Sequence, residues 1–115
     1  MRVPRVAVAV ALFSVVTSSC VDFDVMADHP CPPSGTTLTW DNFGNDFMAQ
    51  WCVACHGGPN GYSSRALNTL ESVQANRERV FANAAGRNVA MPPGPQDPSQ
   101  ADRDKLALWL TCGAK

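Results

Sequence analysis

The chain has 115 residues, of which 45% are hydrophobic and 17% charged, and its formal net charge is −1. This length allows a single domain of ordinary size. The balanced charge provides no clustered basic surface of the kind that binds nucleic acid, so we expect no nucleic-acid partner. Five cysteines are many for so short a chain, and their separated positions do not form one repeating array.

The N-terminus has the layout of an export signal. Arg2 and Arg5 precede an apolar run over residues 6–16, which is followed by small polar residues. A helix rises about 1.5 Å per residue, so this run falls well short of the roughly 30 Å of a bilayer core. We therefore expect an exported protein in which this run is not a permanent transmembrane helix.

Residues 17–20 resemble a bacterial lipobox, in which small residues precede a cysteine that is lipidated and becomes the new N-terminus. Thr17 stands where leucine is usual. We expect residues 1–19 to be a lipoprotein signal peptide and Cys20 to anchor the protein at the periplasmic face of a bacterial membrane. Ordinary cleavage near Ser19, giving a soluble periplasmic protein, is the alternative. Loss of the signal leaves 7 basic and 10 acidic residues, a net charge of −3.

Residues 20–38 have no sustained apolar period. Their composition is typical of a flexible tether, whose acidic residues keep it solvated. Cys31 lies within this segment and is the exception to its tether-like character. The residues that indicate a tether are Asp22, Asp24, Asp28, Pro30, Pro32, Pro33 and Gly35.

A domain is predicted over residues 39–115, and no stretch of it shows convincing strand alternation. The fold class is therefore predicted as all-α. The first helix runs to Trp51 and delivers Cys52 to its end. Its possible N-caps are Thr39, Asp41 and Asn42.

The second helix is predicted from Thr69 to about residue 85. Asn68 and Glu71 have the spacing of a capping box, and Gly86 can end the helix. Its apolar stripe is predicted to consist of Leu70, Val73, Val80, Phe81 and Ala84.

The third helix is predicted to begin after Pro98. Ser99 and Asp102 again have capping-box spacing. The apolar face of this helix is predicted to consist of Leu106, Trp109 and Leu110, which follow i, i+3, i+4 spacing.

The chemistry is concentrated in residues 52–56, Cys-Val-Ala-Cys-His. Two thiols separated by two residues can reach the two vinyl groups on one edge of a haem and form thioethers, and the imidazole that follows then lies under the iron. A C-x-x-C-H run is the signature of c-type haem attachment. We therefore expect Cys52 and Cys55 to hold one haem c covalently and His56 to ligate its iron.

Two other kinds of site use similar residues. A thioredoxin-like redox pair needs a βαβ context that the chain lacks. A structural zinc site needs four ligands, of which the motif supplies three, with the fourth to come from His29, Cys31 or Cys112. The adjacency of Cys55 and His56 fits poorly with usual zinc-ligand spacings. Export also favours haem, because c-type haem is attached outside the cytoplasm.

A wider pattern surrounds the motif. Its members are Gly44, Phe47 and Met48 before the motif, Met91, Pro92 and Pro93 after it, and Leu106 and Trp109 in the last helix. Over about residues 39–112 this pattern resembles a class I, single-haem cytochrome c. The resemblance implies an all-α fold in which the first and last helices cross at Gly44. It also implies that a methionine sulfur, here that of Met91, is the sixth ligand of the iron.

The residues themselves also favour Met91, which lies in a loop whose prolines limit its freedom. Met48 lies one turn before the motif, where an apolar side chain normally packs in the core. Met1 and Met26 lie in the signal peptide and the tether. The alternative is that Met91 packs over the haem edge without binding iron. His29 is the only other imidazole, and its place in the tether favours exposure.

Cys31 and Cys112 remain, and an exported chain can form disulfides. Two separate thiols are the alternative. Small lipoprotein cytochromes of deltaproteobacteria carry a similar Cys-Pro-Pro-Ser-Gly-Thr opening and a similar Trp-Leu-x-Cys-Gly ending, here residues 31–36 and 109–113. That resemblance supports a bond between Cys31 and Cys112, which would bring the two ends of the domain together.

These features predict a one-electron carrier rather than an enzyme. Its partners would be a redox protein that donates the electron, another that accepts it, and a membrane reached through the lipid anchor, with the chain itself a monomer. Tyr62 and Arg65 are candidates for hydrogen bonds to the haem propionates, with solvent exposure as the alternative. The alternative functions are a haem enzyme or sensor with an open sixth position, and a fixed electron-relay subunit of a respiratory complex.

Overall fold

The computed structural model describes residues 23–115, so the predicted signal peptide and Cys20 lie outside the described residues. Within this range every regular element is helical, and the all-α prediction is confirmed. No helix among residues 23–115 has both the length and the apolar character that crossing a membrane requires.

Five α-helices follow one another in the described chain. A π-helical turn over Trp40–Gly44 leads directly into the first of them, and short 3-10 turns occupy Met26–Asp28 and Gly58–Asn60. The α-helices are α1 (Asn45–Trp51), α2 (Val53–His56), α3 (Leu70–Ala75), α4 (Arg77–Ala84) and α5 (Gln100–Thr111).

The first helical segment starts at Thr39, one of the three possible N-caps that the sequence indicated. The Asn42 N–H donates to Thr39 Oγ1 at 3.2 Å, and the Thr39 N–H donates to Asn42 Oδ1 at 2.7 Å. Two of the N–H groups that have no partner inside the helix are satisfied in this way. At the last helix, Ser99 acts similarly: its hydroxyl accepts from the Asp102 N–H at 3.1 Å and donates to the Asp102 carboxylate at 2.8 Å.

The second predicted helix is in fact two helices, α3 and α4, and the predicted capping pair is wrong. Thr69 is the N-cap, and its reciprocal partner is Ser72 rather than the expected Asn68 and Glu71 pair. The break lies at Asn76, whose backbone leaves helical geometry with φ −111° and ψ 13°. The Asn76 side chain donates to the Ser72 carbonyl at 2.8 Å, which satisfies an acceptor at the end of α3.

The first and last helical segments cross at Gly44. A Cβ atom on Gly44 would lie 2.5 Å from Cη2 and from Cζ2 of Trp109, so only glycine allows this approach. The Trp109 ring is fully buried and also packs against Trp40 and Phe43, at centroid distances of 6.2 and 6.0 Å. The Trp109 indole N–H donates to the Lys115 carbonyl at 3.2 Å, which satisfies its polar atom.

The core lies between these crossing segments and α4. Helix α4 packs directly against α5. The largest side chains with almost no exposed surface are Trp109, Phe81, Met48, Leu106, Leu110 and Val73. Side chains of α1 and α5 belong to the same core, so the helix that leads into the C-x-x-C-H motif is fixed relative to α5.

The N-terminal segment contacts the domain through Asp24, although most of its described residues are exposed. Asp24 is buried and accepts from the Arg87 N–H at 2.8 Å and from Arg87 Nε at 2.9 Å. The Asn88 side chain receives a hydrogen bond from the Asp24 N–H and donates one to its carbonyl, at 3.1 and 2.8 Å. Within residues 20–38, which the composition predicts as a tether, the Asp24 carboxylate is thus paired with a distant arginine rather than solvated.

A disulfide bond closes the two ends of the domain. It joins Cys31 to Cys112 across 81 residues, with 4.8 Å between the Cα atoms. A cross-link over a loop of this length restricts the unfolded chain and stabilises the fold by about 4–5 kcal/mol on chain-entropy estimates. Together with the Asp24 contacts, it makes the N-terminal segment part of the folded unit.

The crossing at Gly44 gives a first test. We expect Gly44→Ala to lower the free energy of unfolding by about 1–3 kcal/mol, because the added methyl group overpacks the buried Trp109 ring. Alanine favours helix by about 1 kcal/mol relative to glycine. The measured loss of stability is therefore the cost of the steric conflict minus this gain. Denaturant unfolding followed by helical circular dichroism checks it. Asn45→Ala, at an exposed neighbouring position, is the control, and equal or greater stability of Gly44→Ala would contradict the crossing.

The Asp24 contacts give a second test. The Arg87 guanidinium and N–H beside Asp24 hold the pKa of that carboxyl below its usual 3.8. The ionised carboxylate therefore stabilises the fold above that pH, and the stabilisation is lost as the pH falls through the lowered pKa. We expect Asp24→Asn to be less stable than the unaltered protein at neutral pH, with the difference shrinking in acid.

Thermal unfolding over a series of pH values measures this effect. The control is Asp46→Asn, which removes an exposed acid of α1. A stability difference for Asp24→Asn that does not change with pH would show that the Asp24 charge contributes nothing.

Candidate cofactor site

The C-x-x-C-H motif lies where the first helical segment turns into α2. Cys52 separates α1 from α2, yet its N–H still donates to the Met48 carbonyl at 2.9 Å. The His56 N–H donates to the Cys52 carbonyl at 2.8 Å. The two helices are therefore nearly continuous, and Cys52, Cys55 and His56 share one face through their i, i+3, i+4 spacing.

The chain after the motif folds back tightly against it. The Ser63 N–H donates to the Cys55 carbonyl at 2.9 Å, and the Leu67 N–H donates to the His56 carbonyl at 2.8 Å. A Cβ atom on Gly61 would lie 2.7 Å from the Cys55 oxygen, so this position needs glycine. The loop after the motif thus satisfies the last carbonyls of α2 and holds the motif in place through these hydrogen bonds.

The orientation of the His56 ring is set by one hydrogen bond. Its Nδ1 atom lies 2.8 Å from the Arg65 carbonyl oxygen. Because a carbonyl can only accept, Nδ1 carries the hydrogen and Nε2 keeps its lone pair for a metal ion. Arg65 is itself held, since its Nη1 donates to Asn76 Oδ1 at 2.9 Å. The break between α3 and α4 therefore also positions the segment that orients His56.

Two cysteines outside the disulfide supply thiols to the same site. Cys52 is half-buried, and burial raises its pKa to about 11, so its sulfur is a neutral thiol at physiological pH. Cys55 is exposed. Both line a single cavity together with His56.

This cavity has a volume of about 560 Å³ and also reaches the loop that contains Met91. Cofactor pockets commonly span about 300–1,000 Å³. The motif and Met91 are far apart in sequence, and the fold places them on the wall of one cavity. The remaining lining residues are Phe47, Trp51, Tyr62, Ser63, Arg65, Leu67, Arg79, Val80, Asn83, Ala84, Pro92 and Pro93.

The charges on the cavity wall have one sign. Among the described residues, Arg65 and Arg79 are the lining residues with a permanent charge, and no carboxylate contributes to the lining. Most other lining side chains are apolar. An apolar cavity with a cationic border suits a flat hydrophobic group that carries carboxylates at one edge.

Met91 presents its side chain to this cavity from a loop held by its backbone. The Met91 N–H donates to the Asn83 carbonyl at 2.8 Å, and its carbonyl accepts from Arg103 at 2.9 Å. The Met91 residue is 43% exposed, whereas Met48 is 1% exposed within the core. The two methionines of the domain thus have the different environments that the sequence suggested.

The residues considered as a fourth zinc ligand are engaged elsewhere. Cys31 and Cys112 are bonded to each other. The His29 ring lies 3.6 Å from the Asp24 carboxylate and 5.5 Å from the Phe81 ring, outside the lining of the cavity. A motif of two thiols and one imidazole, facing a thioether, fits a haem better than a four-ligand zinc site.

Three residues near the site were not predicted from the sequence. Arg79 and Asn83 line the cavity one helical turn apart, beside the apolar stripe of α4, so their spacing was a usable signal. Arg103 binds the Met91 carbonyl from α5. The sequence could have pointed to Arg103, because its charge lies on the same helix face as the apolar Leu106 and Leu110, at i, i+3 and i+7 spacing.

Comparison with known proteins bears directly on this site. The family model described as cytochrome c oxidase, cbb3-type, subunit III matches residues 42–110, which is more than half of the chain. The match includes the motif, the cavity wall and Met91. Neither the curated proteins nor the solved structures yield a match. The chain therefore belongs to the cytochrome c family of cbb3-type oxidase subunit III, a family of c-type, haem-based electron-transfer domains.

Proposed function

We propose that this chain is a one-electron carrier that holds a single haem c covalently, with His56 and Met91 as axial ligands. The supporting observation is that both ligands and the two thiols line one cavity of about 560 Å³. When bound, the haem iron supplies one-electron exchange between its ferrous and ferric states. The protein's part is to hold, orient and partly bury it.

Covalent attachment would use the thiols of Cys52 and Cys55. Each S–H would add across one vinyl group, so that a C–S bond would form and the hydrogen would go to the neighbouring carbon, with no net oxidation. The spacing of the two cysteines along one helical face supports simultaneous attachment at one haem edge.

The axial ligands come from two separate walls. His56 Nε2 is available because Nδ1 donates to the Arg65 carbonyl. The Met91 sulfur is a weaker ligand, and the rigid loop around it compensates for this weakness. Methionine with histidine ligation raises the reduction potential relative to other axial pairs, and the apolar lining acts in the same direction.

The carboxylates of the haem would meet the cationic border of the cavity. Arg65 and Arg79 provide guanidinium groups there, which form strong hydrogen bonds to carboxylates. Tyr62 is 95% exposed, so its role is secondary to that of the arginines. The propionates would thus be held on the side where α3 and α4 meet.

A lipid on Cys20 would hold the domain close to a membrane. Asp24 is fixed to the domain by Arg87 and Asn88, and the four-residue step from Cys20 to Asp24 spans at most about 14 Å. Export and lipidation therefore favour a carrier at the periplasmic membrane surface that meets donor and acceptor proteins there as a monomer.

The family supports a second candidate function. Its name is that of an oxidase subunit, and a relay subunit fixed in such a complex would use the same haem ligands. Purification from native membranes distinguishes the two, because a subunit would remain with its complex in mild detergent whereas a free carrier would separate.

The axial role of Met91 is tested by absorption spectroscopy of the ferric protein. We expect a weak sulfur-to-iron charge-transfer band that is absent in Met91→Ala, because alanine removes the thioether. Met48→Leu is the matched control and should keep the band, since the Met48 side chain packs in the core. A band that persists in Met91→Ala would exclude Met91. Rapid carbon monoxide binding by the unaltered ferrous protein would instead favour an enzyme or sensor with an open sixth position.

Covalent attachment is tested by extracting the protein under denaturing conditions after maturation in cells that attach c-type haem. We expect an intact mass that includes one haem, and loss of that haem only when Cys52 and Cys55 are both changed to serine. The double variant Cys31→Ser, Cys112→Ser should retain the haem. Extraction of haem from the unaltered protein would contradict thioether formation.

A further inference from the structure

Arg103 is a buried charge whose position needs an explanation. It lies on α5 and is only 2% exposed. A buried guanidinium is costly unless its hydrogens are paired. Its contacts therefore show which part of the fold it serves.

Within residues 23–115 the guanidinium makes four hydrogen bonds, and all of them reach the end of α4 or the loop that follows. Nη1 donates to the carbonyls of Ala84, Asn88 and Met91, at 2.9, 3.0 and 2.9 Å. Nη2 donates to the Asp97 carboxylate at 3.2 Å. Nη1 has two hydrogens, so one of them is shared between two carbonyls.

The backbone N–H and the backbone carbonyl of Met91 are thus both held by hydrogen bonds. Its N–H donates to the Asn83 carbonyl on α4, and its carbonyl accepts from Arg103 on α5. The side chain between these two points lines the cavity. Two packed helices therefore fix the backbone from which the thioether projects.

We propose that Arg103 is a positioning residue that holds the Met91 sulfur at the iron and keeps the sixth position closed. This inference rests on the proposed ligation by His56 and Met91. Without the guanidinium, the carbonyls of the loop lose their common donor, and the loop can move away while the helices remain packed. Arg103 then controls how often the iron becomes open to an external ligand.

The experiment compares local and global loss of structure in the holoprotein with Arg103→Lys. Lysine keeps the charge but lacks the planar fork that reaches the Met91 carbonyl and Asp97 together. On heating the ferric protein, we expect the charge-transfer band to disappear before helical circular dichroism does. We also expect ferrous Arg103→Lys to bind carbon monoxide about tenfold faster, the change in open-loop population that loss of one charged hydrogen bond gives.

Two further variants make the outcome decisive. Lys105→Gln alters an exposed charge on the same helix and should behave like the unaltered protein. Asp97→Asn leaves Arg103 in place and removes its exposed carboxylate partner. In this variant, too, the charge-transfer band should disappear before helical circular dichroism does, with a smaller separation than in Arg103→Lys. Asp97→Asn decides the question if Arg103→Lys yields no folded holoprotein.

The possible results separate this inference from the proposed function. Band and helix lost together in the Arg103 and Asp97 variants, with unchanged carbon monoxide binding, would show that Arg103 supports the fold as a whole and would overturn the inference alone. Absence of the band from the unaltered protein would overturn the methionine ligation and the role of Arg103 with it.

Discussion

The close approach of Gly44 to Trp109 is the contact on which the cavity depends. It lets the first helical segment lie directly on α5, so the helix that carries the C-x-x-C-H motif is fixed to the last helix. Six residues before Trp109 on the same helix, Arg103 binds the Met91 carbonyl at 2.9 Å. One rigid element therefore holds both walls of the cavity. Because both walls are attached to α5, the distance between the proposed axial ligands, His56 and Met91, stays constant as long as α5 does not bend.

The N-terminal segment contributes to the same unit. Its disulfide joins Cys31 to Cys112 just beyond the end of α5, and Asp24 is bound by Arg87 in the turn after α4. Cys31 thus ties the segment to the end of α5, and Asp24 ties it to the loop that contains Met91.

Local patterns in the sequence were sufficient to predict the helical class, the cap at Ser99, the first cap as one of Thr39, Asp41 and Asn42, and a c-type cytochrome domain, because each depends on neighbouring residues. Contacts between distant residues were not predictable in this way. Asn76 ends α3 while accepting from Arg65, and an acidic, proline-rich segment gives no sign that Asp24 will meet Arg87. The same holds for the loop around Met91: its prolines indicated rigidity, but its actual support comes from Asn83 and Arg103.

The family establishes a c-type cytochrome domain, and the lining of the cavity favours the proposal that one haem binds between His56 and Met91. In the proposed arrangement, the methyl group of Met91 would lie within the ring current of the haem. Proton magnetic resonance of the ferrous holoprotein tests it most directly, because the ring current moves such a methyl signal far upfield. We predict one strongly upfield methionine methyl resonance, assigned to Met91. The absence of such a resonance, or its assignment to Met48, would contradict the proposed site.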